Sequence, residues 1–281
     1  MKMNKISGLA RPVDISYRSN RHFLLVGLLT LLVASGYQLF MGNAFLESLW
    51  WGIQAAFVTF LSWAIGRELD PDINSSALLS IPLSLAAFYF FEDLNWLLLF
   101  VFVMMMRVGS HICGQSVKIT DAVLVIGLAT YGVWRGEYVV GFALAITFLA
   151  DSQLRPPHQK SIWYALAALL LSIAALIISP ATTDDFSYQP YWPWGVVGVA
   201  LLFALVVIRD YKRPRSTEDY RVQALSGSRM QAVQLIVMIS VVVMYFLKGQ
   251  LATLAVAPVW AGILSATLIR FYQGLTGRSL S

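Results

Sequence analysis

The residues best suited to chemistry stand at the ends of apolar runs. In "WAIGRELDPDINSSA", residues 63–77, an apolar stretch reaches Gly66 and is followed at once by Arg67, Glu68, Asp70 and Asp72, split by Pro71. Three carboxylates this close form a hard-oxygen cluster of the kind that Mg²⁺ or Ca²⁺ takes. Glu68 and Asp72 are four apart and share a face if the helix persists. Pro71 disfavours helical geometry at Asp70, and a broken helix end would turn Asp70 and Asp72 inward. The plainer alternative is a solvated helix terminus, with Asp72 and Asn74 capping the next helix.

A second group lies in "RVGSHICGQSVKITD", residues 107–121. Its two glycines let backbone N–H groups approach an anion, and Arg107 and Lys118 add charge suited to phosphate. His111 and Cys113 are two apart with no second pair, a poor zinc signature. The third group is "ADSQLRPPHQKS", where Asp151 precedes Arg155 and a loop histidine, His158, expected to be solvated. The resulting assignment is a divalent metal, Mg²⁺, at Glu68, Asp70 and Asp72. Arg107, Lys118 and Arg155 would hold phosphate oxygens, and Asp121 and Asp151 would be the catalytic acids. There is no Ser-His-Asp order, no glycine-rich nucleotide loop and no HExxH.

The elements that position these groups follow from composition. The chain is 58% hydrophobic and 12% charged, with a mean hydropathy of +0.68. A soluble domain averages about 25% charged residues, so most of this chain must face lipid. The pI near 9.3 does not indicate nucleic acid, because the basic residues lie between apolar runs, as membrane topology requires. The single cysteine, Cys113, excludes an intramolecular disulfide. The first 21 residues are too polar for a signal peptide and read as a basic tail.

Ten apolar runs are expected as helices: 22–41, 48–66, 75–91, 94–107, 119–134, 137–151, 161–180, 191–208, 230–247 and 250–271, the last open to a break near Pro258. This predicts an all-α bundle with a basic tail over 1–21, one transmembrane domain over 22–272 and a second tail over 273–281. Its charged cytoplasmic loops would be 67–76, 107–119, 151–160 and 209–229. With the N-terminus inside, 18 of the 20 Lys and Arg residues fall on the cytoplasmic side, and only Arg135 and Lys248 fall outside. That is the positive-inside signature. It places both termini in the cytoplasm, in a bacterial inner membrane. Loop 209–229 is strongly basic and suits anionic headgroups. Loop "ATTDDFSYQPYWPWG" is an interfacial aromatic stretch or a lid over an external vestibule. An inverted repeat finds no support.

Three spans are short between charges. Asp93 to Arg107, Asp121 to Arg135 and Glu137 to Asp151 are each 14 residues, or ~21 Å of helix, against a hydrocarbon core of ~30 Å. Arg107, Asp121 and Asp151 are therefore expected at depth, in a polar cavity facing the cytoplasm, with Arg107 bridging Asp121 or Asp151. Thinning of the bilayer or immersion of the outer charges would serve equally.

Acidic residues closing spans 2 and 6 on the cytoplasmic side resemble the UbiA-type intramembrane prenyltransferases. The resemblance implies Mg²⁺ and a prenyl diphosphate, held by Glu68, Asp70 and Asp72 as the first motif and Asp151 as the first acid of the second. The first motif here is "RELDPD", with its Asn afterwards at Asn74. Arg155 stands where the second motif has another acid. Three functions follow as expectations: a metal-dependent transferase acting on a lipid phosphate or prenyl diphosphate, a proton- or cation-coupled transporter, or a non-catalytic membrane subunit.

Overall fold

The computed structural model describes residues 7–10, 18–91, 94–179, 193–219 and 223–276. It is all-helical, with no strand among the described residues. The helices are α1 (Arg18–Phe40), α2 (Phe45–Leu69), α3 (Asn74–Phe91), α4 (Trp96–Ser110), α5 (Ile119–Trp134), α6 (Tyr138–Gln153), α7 (Ser161–Ile178), α8 (Pro193–Asp210), α9 (Gly227–Lys248), α10 (Gln250–Ala255) and α11 (Ala257–Thr276). Nine of the ten expected runs each match one helix. The tenth is divided, as its proline suggested, but the break is at Val256, and Pro258 sits in the first turn of α11, where its missing N–H costs nothing.

Six helices, α1, α2, α3, α7, α8 and α9, are long and apolar enough to cross a bilayer, while α4, α5 and α6 are apolar but shorter. Leu24, Leu28 and Leu32 on α1, and Leu166, Leu170 and Ile177 on α7, are exposed apolar rows of the kind that face lipid. The protein is membrane-embedded. Of the loop read above as a lid or aromatic belt, residues 181–192 lie outside the described residues, as does Asp93, and its last three, Pro193, Trp194 and Gly195, open α8.

At the centre is α4. Leu98, Leu99, Val101, Phe102, Met105, Met106 and Val108 are all buried, because α2, α5, α6 and α9 surround it. A helix apolar on every side is stable only in such a position. Small residues let backbones approach, as membrane helices require. Gly66 lies where a Cβ would come within 2.7 Å of Ala77 Cα, and Ser80 Oγ donates to the Ser62 carbonyl at 2.8 Å, locking α2 to α3.

The segments between helices gather at two ends. At one, the Ser7–Ala10 segment, the α2–α3 turn, the α4–α5 loop, the α6–α7 loop and the α8–α9 loop are joined by side-chain bonds. At the other, Asn95 N–H donates to the Ala255 carbonyl at 2.9 Å, Lys248 meets Glu137 at 3.2 Å, and Ser179 Oγ donates to the Trp134 carbonyl at 2.9 Å.

Candidate functional site

The expected site residues do gather at one end, but every carboxylate there is already engaged, Asp70 and Asp72 by the same arginine, Arg270. Glu68, in the last turn of α2, accepts from Arg107 Nε of α4 at 2.8 Å. The expected pairing of Arg107 with Asp121 or Asp151 is replaced by this one. Arg107 also donates through Nη1 to the Leu9 carbonyl at 3.2 Å.

Asp70 caps the end of α2 and is fully buried. Its Oδ1 accepts from Arg270 Nη2 of α11 at 2.6 Å, and its Oδ2 from Ser76 Oγ at 2.7 Å and Arg270 Nε at 3.3 Å. Arg270 stacks over the Tyr211 ring at 4.6 Å. Burial pushes the Tyr211 phenol well above the usual tyrosine range, so it stays neutral beside Asp70. Asp72 lies 3.5 Å from Arg270 Nη2, and its Oδ1 accepts the backbone N–H groups of Arg215 and Ser216 at 3.0 and 2.8 Å. Pro71 ends the helix as expected; its carbonyl accepts from Ser216 Oγ at 2.8 Å. The opening stretch thus clamps α11 and the α8–α9 loop.

Asp121 is the N3 residue of α5. Its Oδ2 accepts the Lys118 backbone N–H at 3.2 Å, half of a capping box. The rest of its capacity goes to Ser7 Oγ at 2.5 Å and the Gly8 N–H at 2.7 Å. Leu9 inserts behind them and is buried, with its carbonyl taking Arg107 and the Cys113 thiol.

Asp151, on the last turns of α6, is the most elaborate centre. Oδ1 receives Arg229 Nη1 of α9 at 2.6 Å and stands 2.6 Å from His111 Nε2; Oδ2 receives Ser161 Oγ at 2.5 Å. His158 Nδ1 is 2.9 Å from that hydroxyl and 3.5 Å from Oδ2. His111 is offered by a left-handed residue ending α4 (φ 56°). Arg229 is 1% exposed and donates to the carbonyls of Gly109, Asp151, Leu154, Arg155 and Pro156. The Arg155 carbonyl is thus engaged, while its side chain is exposed. His158 is only 17% exposed rather than solvated, and burial holds it below the usual histidine range despite the nearby carboxylate.

Among the described residues no group of three or more His, Cys, Asp or Glu side chains is placed to share one metal ion. Sequence reasoning missed Arg229, Arg270, Tyr211, Ser161 and the Ser7–Leu9 segment. The two arginines had a readable signal, since both adjoin apolar helical runs rather than open loop. No protein-family model, no curated protein and no solved structure matches this chain.

Proposed function

We propose that the chain is a proton-coupled membrane transport protein in which Asp151 is the proton-carrying group. The observation that carries this is the hydrogen-bonded file from the partly exposed His158 through Ser161 to buried Asp151, with His111 on its far side. Asp151 is fully buried, and ionisable groups immersed in a membrane protein are expensive and mark ion paths. Ser161 donates to Asp151, so His158 must present an Nδ1–H to Ser161. A proton arriving at His158 Nε2 releases the Nδ1 proton to Ser161 Oγ, and Ser161 passes its own to Asp151 Oδ2. The histidine ends neutral in its other tautomer, and Asp151 ends uncharged. Arg229 then keeps one fewer counter-charge, and the α6–α9 contact loosens. Ten crossings, made by α1 to α9 and α11 with both ends in the cytoplasm of a bacterial cell, are part of this reading. They rest on the basic-residue split and on the bonds that join alternate loops.

The test is proton uptake into proteoliposomes loaded with a pH-sensitive dye, under an imposed potential. His158→Gln keeps the Asp151–Arg229 pair and should abolish most of the uptake. Uptake equal to wild type in this variant, with Ser161→Ala also unchanged, would reject the relay.

A second reading, the Mg²⁺-dependent transferase of a lipid phosphate or prenyl diphosphate, draws on Asp70 and Asp72 converging on one cationic centre, the Arg270 guanidinium. It requires Mg²⁺ to raise thermal stability in wild type and to lose that effect in Asp70→Asn and Asp72→Asn.

A further inference from the structure

The two basic residues that the charge count leaves on the far side, Arg135 and Lys248, line one cleft. It has a volume of about 870 Å³ and forms where α4, α5 and α6, of 15–16 residues, stop beside α9, of 22. At 1.5 Å per residue the short helices rise ~23 Å and α9 ~33 Å. We propose that this cleft binds an anionic amphiphile, with its phosphate or carboxylate at Arg135 and Lys248 and its apolar body against Trp96 and Leu251.

The chemistry follows from the lining. Arg135 caps the C-terminus of α5 and Lys248 ends α9, positions where a helix dipole alone would favour a cation. The dipoles do not explain why the two converge from different helices on one opening. Glu137 meets Lys248 at 3.2 Å and offsets one charge, so the described lining keeps a formal surplus of one positive charge. Arg135 is exposed to the opening, with a fork suited to a phosphate or carboxylate. The Asn95 side chain caps α4 through the Leu98 N–H, turning the positive end of that helix to the same space. Leu94, Trp96, Leu97 and Leu251 supply the apolar wall, and Leu251 is 67% exposed, so the wall continues to the lipid-facing surface. Pockets of this size and mixed lining suit a small ligand.

The phosphate could belong to a membrane lipid or to a soluble compound, and the experiment separates them. Purified protein is titrated calorimetrically with octyl phosphate and with inorganic phosphate, and its retained phosphatidylglycerol is measured by native mass spectrometry. Wild type should bind octyl phosphate at least tenfold more tightly than inorganic phosphate. Arg135→Gln should lose at least tenfold in octyl phosphate affinity with an unchanged melting temperature, while Arg213→Gln, on an exposed residue at the other end, should bind as wild type. Loss of retained phosphatidylglycerol in Arg135→Gln identifies a lipid as the source. Octyl phosphate binding without lipid retention identifies a soluble ligand. Equal affinities for octyl phosphate in wild type and Arg135→Gln, or equal losses in Arg135→Gln and Arg213→Gln, overturn the proposal.

Discussion

Replacing Arg229 by methionine should be among the most damaging single changes available to this chain. Arg229 aims its five N–H groups at six acceptors, five carbonyls and the Asp151 carboxylate, all from a side chain 1% exposed. Methionine keeps much of the volume and removes every donor. Breaking a buried ion pair from one side costs about 3–5 kcal/mol, because the remaining charge is stranded. Unsatisfied buried acceptors add about 1–3 kcal/mol each where water cannot reach them. Even the lower figure is a large share of the ~5–15 kcal/mol that holds a typical domain together. Lysine restores the charge but has three donors for six acceptors, so Arg229→Lys should fall between. Removing both charges, in Asp151→Asn with Arg229→Met, should recover part of the loss, since no ion is then left unpaired. The assay is the fraction of protein remaining monodisperse on size-exclusion chromatography after heating, across Arg229→Met, Arg229→Lys, Asp151→Asn, the double variant and wild type. Additive losses in the double variant, or wild-type stability in Arg229→Lys, would refute the reasoning.

His158 is held below its unfolded value, so it contributes stability that is present above the unfolded histidine pKa and lost as pH falls through the folded one; melting temperature should decline from pH 7 toward pH 5, and His158→Gln should flatten that decline. Gly8→Ala would drive a Cβ into the Ser116 carbonyl, which should expel the Ser7–Ala10 segment and raise the maleimide labelling rate of Cys113, buried in wild type, by tenfold or more. Asp72→Ala removes the acceptor for the Arg215 and Ser216 N–H groups and should speed hydrogen exchange there, whereas Asp72→Asn, which keeps an acceptor oxygen, should change it little. Gly66→Leu should prevent α3 from seating on α2, seen as loss of monodisperse protein in detergent.

The helices were legible because an apolar run must become a helix in lipid, where no water satisfies its backbone. Even the break in the last run was announced by Pro258, misplaced by two residues because Val256, not the proline, ends the preceding turn. The gathering of Glu68, Asp70, Asp121 and Asp151 at one end was also readable, since charges mark helix ends. Their partnerships were not. Arg107 lies 39 residues from Glu68, Arg229 lies 78 from Asp151 and Arg270 lies 200 from Asp70. No local period encodes pairings over such separations. Counting Arg229 and Arg270 only as topology markers hid their second role, and treating His158 as solvated overlooked the fold of its loop back onto Asp151.

The Ser7–Ala10 segment has a consequence for how the protein is made. Its partner Asp121 is 113 residues downstream of Gly8, so the segment leaves the ribosome long before its berth exists. Until α4 and α5 are in place, Leu9 has no core to enter and Arg107 lacks one of its acceptors. Closing so long a loop is slow relative to local helix formation, so docking of this peptide comes late. It therefore acts as a keystone rather than a foundation: its arrival reports that α4 and α5 have been brought together.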